Sequence, residues 1–93
     1  MHILLVQYEL QLPACHSLKD KRSVLKSTMH KLRTSWNLSV AEVDRQDAWQ
    51  RATLAVVSVS TLKDHLEQLD RDVTRTLELS GEIRVGEIQR EWL

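Results

Sequence analysis

Two stretches with helical spacing lie among four with strand spacing, and that interleaving leaves few folds open. The first is His16 to Arg33, HSLKDKRSVLKSTMHKLR. Ser17 stands at a good N-cap position, with Asp20 three residues on where a capping box places a carboxylate. Leu18, Leu25, Met29, Leu32 and Trp36 follow at steps of seven, four, three and four, which is one apolar stripe. Lys19, Arg22, Lys26, His30 and Arg33 form a basic row beside that stripe rather than opposite it. Such a row is either a plain solvated face or the electrostatic footprint of an anion. The second helical stretch begins at Ser60 or Thr61, with Leu62, Leu66, Leu69, Val73 and Leu77 as its stripe. Its polar faces read as solvated surface, with Glu67 and Arg71 at a favourable spacing for an ion pair. Ser80-Gly81 marks its end.

The remaining segments alternate. From His2 to Leu12, Leu4, Val6, Tyr8, Leu10 and Leu12 share one strand face, predicted to be core. Ile3, Leu5, Gln7, Glu9 and Gln11 share the other, apolar at first and polar later, as on a sheet with one face uncovered. Pro13 to His16 is a loop. A second strand runs from Asn37 to Asp44 and a polar connection from Arg45 to Ala48. A third strand runs from Trp49 to Ser58, its apolar residues nearly continuous as suits an interior strand. The last runs from Glu82 to Trp92. Ile83 and Val85 have one parity and Ile88 the other, so Gly86 marks a bulge.

The order is βαββαβ. With right-handed crossovers it gives an α+β ferredoxin-like sandwich: one four-stranded antiparallel sheet with two helices on one face, a single domain over residues 1–93. That topology brings distant loops together. Cys15, His16, Ser17 and Lys19 should meet the hairpin residues Asp44, Gln46, Asp47 and Trp49 at one end, near Gly81.

Composition narrows the function. At 42% hydrophobic and 28% charged residues the chain is of the globular class, not the disordered one. No apolar run approaches the roughly 18 residues of a membrane span. The start lacks the basic region of a signal peptide. Cys15 has no second cysteine to pair with, so a reducing, cytoplasmic setting is expected. The charge sums to zero, which argues against a general nucleic-acid binder. It is unevenly spread, however. Residues 1–34 hold six basic and two acidic residues, a net +4, and the rest balance them. A local basic patch therefore stays open.

Two segments, HSLKDKRSVLKS at 16–27 and VAEVDRQDAWQRATLAV at 40–56, resemble the YlxP-like family of small bacterial proteins of unknown function. The resemblance runs end to end and covers His16, Ser17, Lys19, Asp20, Lys21, Arg22, Ser23, Glu42, Asp44, Gln46, Asp47, Trp49 and Gln50. It implies a ferredoxin-like fold and no established activity. The family's genes often lie near those for translation initiation and ribosome maturation, which implies an RNA- or ribosome-related role by analogy.

No reaction can be written from these residues. Cys15-His16 could suggest a thiolate–imidazole pair, but no third group is identifiable. His16, Asp44 and Asp47 have no recognised metal-ligand spacing and read better as a hydrogen-bonded loop network with Ser17. The aspartates beside Lys19, Lys21 and Arg22 are more often structural ion pairs. There is no glycine-rich phosphate loop. Aromatic platforms on the central strands, as in RNA-recognition-motif domains, are missing as well.

The expectation is a protein without catalytic residues, metal or cofactor. It would bind RNA or a ribosomal particle through His16, Lys19, Lys21, Arg22, Lys26, Gln46 and Trp49. Trp49 is either a stacking platform or an anchor packing the hairpin. The alternative is a homodimer or larger homo-oligomer built on the uncovered sheet face, with Ile3, Leu5, Ala55 and Val57 at its interface.

Overall fold

A computed structural model describes residues 1–93. Six elements follow in order: β1 His2–Gln11, α1 Leu18–Ser35, β2 Ser39–Asp44, β3 Arg51–Ser60, α2 Lys63–Glu78 and β4 Arg84–Trp92. The strands form one antiparallel sheet in the order β2-β3-β1-β4, with β1 and β3 central. This is the expected βαββαβ sandwich. Neither helix is long and apolar enough to cross a membrane.

The expected core face of β1 is buried from Leu4 to Leu10, and Leu12, one residue past the strand's end, is buried with it. It faces Leu25 and Leu32 of α1 and Leu66, Leu69, Val73 and Leu77 of α2, with Ala52, Leu54 and Val56 beside it on β3. The opposite sheet face carries Ile3, Leu5, Gln7, Glu9 and Gln11 in register with Val59, Val57, Ala55, Thr53 and Arg51. Between Tyr8 and Leu10 the β1–β4 register shifts, skipping one residue of β4. Gly86 lies at that bulge. A Cβ there would stand 3.2 Å from the backbone oxygen of Glu9, a tight contact that would make the strand give by a few tenths of an ångström.

Several element ends differ from the sequence expectation. β3 starts at Arg51, because the turn from Arg45 to Ala48 and the tie of Gln50 to the preceding loop occupy residues 45–50. α2 starts at Lys63, two or three residues late. Ser60 still pairs with His2, and its hydroxyl accepts from the Leu62 N–H. Gly81 does not end α2 in the left-handed conformation; the Leu79 N–H closes the last turn on the Arg75 carbonyl instead. Glu67 and Arg71 form no ion pair, and Arg71 donates to Gln68 Oε1.

A candidate anion-binding surface at the hairpin end

The start of α1 is capped as its sequence requires. Ser17 Oγ accepts from the Asp20 N–H at 3.0 Å. Asp20 Oδ2 accepts from the His16 N–H at 3.0 Å, reaching one residue beyond the N-cap. These two bonds set the axis on which the basic residues are mounted.

Lys21 is the chief departure from expectation. Read as a surface cation, it is 1% exposed. It stands four residues before Leu25 and eleven before Leu32, so it belongs to the buried stripe, while Leu18 is only half-buried. A buried ammonium must have all its protons accepted. Lys21 Nζ donates to the carbonyls of Arg45 at 2.7 Å, Arg51 at 3.0 Å and Gln46 at 3.3 Å. Glu42 Oε2 lies 2.8 Å away and balances the charge. Four acceptors thus share three protons, and that oxygen of Glu42 is held by charge rather than by a well-aligned hydrogen bond. Lys21 is therefore unavailable to an RNA phosphate. It is the tie between α1 and the β2–β3 hairpin.

Other bonds complete the tie. Gln50 Nε2 donates to the Cys15 carbonyl at 3.0 Å, and the Leu12 N–H donates to the Gln50 carbonyl at 2.9 Å. The hairpin tip and the start of α1 do meet at one end. Arg45 turns the chain there with φ 62°, a left-handed conformation that costs a non-glycine residue energy. Its carbonyl faces Lys21, while its Nε donates to Glu9 Oε2 on the uncovered sheet face at 3.1 Å. Thr53 Oγ1 donates to the same carboxylate at 2.9 Å.

The expected loop network is only partly formed. Asp44 Oδ1 accepts from the Arg45 N–H at 2.7 Å, not from Lys19 or Arg22. Asp47 joins no ion pair, and no three His, Cys, Asp or Glu side chains converge in a metal-binding group. Cys15 is buried, and burial pushes its thiol pKa up, with the carboxylates of Asp20 and Glu82 adding to the shift. That is the opposite of an activated nucleophile.

Of the expected binding cations, Lys19, Arg22 and Lys26 are exposed, and none takes part in an ion pair. A shallow depression of about 490 Å³ runs along this flank, lined by Ser23, Lys26, Ser27, His30 and Arg33. Arg33 is partly committed, donating to the Val40 carbonyl of β2 at 2.9 Å. At the hairpin end His16 and Gln46 are exposed, and Trp49 is 55% exposed, so it does not anchor the hairpin by burial.

A family model described as "Protein of unknown function (DUF503)" matches residues 3–90. The chain belongs to that family. A curated relative, the uncharacterized protein YlxP of Bacillus subtilis (strain 168), is 32% identical over 74 residues, which is 64% of this chain and 80% of that protein. The resemblance carried by the two sequence segments is borne out. Among solved structures, the de novo designed protein Foldit4 superposes with a TM-score of 0.60 at 13% identity, covering 98% of this chain and 97% of its own. LarC2, the C-terminal domain of a cyclometallase involved in synthesis of the NPN cofactor of lactate racemase, gives 0.50 at 14% identity. All of this chain, but only 55% of LarC2, is covered. At such identities the likeness is one of fold alone, and a family without an assigned activity leaves the site to be argued from its own residues.

Proposed function

We propose a non-enzymatic cytoplasmic binding protein that contacts single-stranded RNA, such as an exposed segment of a ribosome-assembly intermediate. The contact runs through the exposed flank of α1 and the hairpin end: His16, Lys19, Arg22, Lys26, Gln46 and Trp49. The reading rests on one observation. Lys19, Arg22 and Lys26 have no acidic partner within the protein, and an exposed indole stands at the same end as the start of the row. Unpaired cations bind phosphates and release counterions, and an aromatic face stacks any base.

Fluorescence anisotropy with a labelled polyuridylate of about 12 nucleotides tests it. The three phosphate contacts of the helix flank alone imply that affinity falls at least about twentyfold between about 50 and about 200 mM salt. Lys19→Glu with Arg22→Glu should abolish binding and leave circular dichroism unchanged, since both side chains are exposed. Binding that ignores salt, or survives the double reversal, would exclude this flank.

A second reading is favoured by the uncovered sheet face. Val59 there is 52% exposed and half-buried Leu5 pairs with Val57. Ile3, Val57 and Val59 of this face, with Leu38 from the core side, line a shallow depression of about 370 Å³ at the sheet's end. A second copy docked on this half would form a two-fold dimer. Leu5→Glu should then lower the mass seen by light scattering; a wild-type protein that is monomeric at high micromolar concentration would end this reading.

A further inference from the structure

The uncovered sheet face has a second, different half. At the hairpin end its last row is Arg51, Gln11 and Arg84, side by side on β3, β1 and β4. Parity puts all three side chains on the uncovered face, and all three residues are exposed. At strand spacing the two arginine backbones stand roughly 10 Å apart with the Gln11 amide between them.

Neither guanidinium is neutralised within the protein. Of the acids beside this row, Glu9 has a cationic partner of its own, whereas Glu87 meets only a neutral amide and keeps its charge. Glu9 accepts from Arg45 and Thr53, and Glu87 Oε1 accepts from Gln89 at 3.3 Å. Glu9, Gln11, Arg45, Arg51, Gly86 and Glu87 line a pocket of about 260 Å³ at the foot of this row. The buried Lys21 ammonium holds the carbonyls of Arg45 and Arg51 from beneath. The cation missing from the surface patch thus fixes the backbone that carries another.

We infer that Arg51, Gln11 and Arg84 form a phosphodiester-binding row on the sheet. It would let one RNA strand pass from the α1 flank around the hairpin end, past Trp49, onto the uncovered face. Two guanidinium forks offer charge-assisted pairs of hydrogen bonds to phosphate oxygens, and the amide between them donates a further one. This inference rests on the proposed RNA reading and extends its footprint to the other side of the sheet.

The same polyuridylate anisotropy assay separates the two. Arg51→Gln with Arg84→Gln should weaken binding about tenfold or more at low salt and flatten the log–log salt slope by about 1.4, the share of two contacts to a single strand. Arg51→Lys with Arg84→Lys should keep most of the slope while losing part of the affinity, because charge survives and the fork does not. Unchanged affinity and slope in the glutamine pair, with the Lys19→Glu/Arg22→Glu protein defective, would overturn the row and leave the helix flank standing. Weaker binding at unchanged slope would also overturn it, by removing phosphate from the explanation. A wild-type protein that fails to bind at about 50 mM salt would overturn both proposals.

Discussion

Lys21 shows how one residue can be misread and why. By type it is a surface cation; by position it is on the seam, four residues before Leu25. The periodicity was sufficient to place it inside, but residue type alone favours the exterior. What no periodicity reveals is its set of partners, because the carbonyls of Arg45, Gln46 and Arg51 meet it only through the fold. A cation so placed is costly to remove. Lys21→Met should lower stability by about 3 kcal/mol in urea unfolding, since Glu42 and three carbonyls are left without a donor. Lys21→Met with Glu42→Gln should recover part of that loss by removing the stranded charge. A single variant within about 0.5 kcal/mol of wild type would mean that the ammonium is in effect solvated.

At the scale of elements, strand faces were the most legible feature. Alternation in β1 assigned Leu4, Val6, Tyr8, Leu10 and Leu12 to the core, and each is buried. The odd parity of Ile88 located the β4 bulge. Ends were less legible where hydrogen bonding decides them, as at Ser60 and Leu79. The polar link between β1 and α2 could not be read at all. Tyr8 OH and Thr74 Oγ1 are 2.8 Å apart, Thr74 Oγ1 donates to Asp70 Oδ1, and Arg90 Nε donates to Asp70 Oδ2 at 2.6 Å, joining β1, α2 and β4. Burial pushes the Tyr8 phenol up to about 12 from the ordinary value of 10. Folding therefore favours its protonated form. That contribution to stability is complete below pH about 10 and is lost as pH rises to about 12. Tyr8 is the sole tyrosine, so tyrosinate absorbance reports it alone. The native protein should titrate near 12, and the urea-unfolded chain near 10. A native titration near 10 would place the hydroxyl in water.

For the whole molecule, the +4 charge of residues 1–34 has a structural expression. Of its six cations, Lys21 goes inside to hold the hairpin, Arg33 donates to the Val40 carbonyl, and Lys19, Arg22, Lys26 and Lys31 remain on the surface without ionic partners. The convergence of α1 and the hairpin was legible, because the ferredoxin-like topology fixes which loops share an end. The row of Arg51, Gln11 and Arg84 was not, because its members lie on three strands and meet only once the register is known. Amide proton–nitrogen correlation spectra recorded while single-stranded RNA is titrated in would test the RNA-binding surface most directly. The expected result is shifts concentrated at residues 16–26 and 45–51, extending to Gln11 and Arg84. Shifts confined to the apolar half around Ile3, Val57 and Val59, or to α2, or no shifts at all, would contradict it.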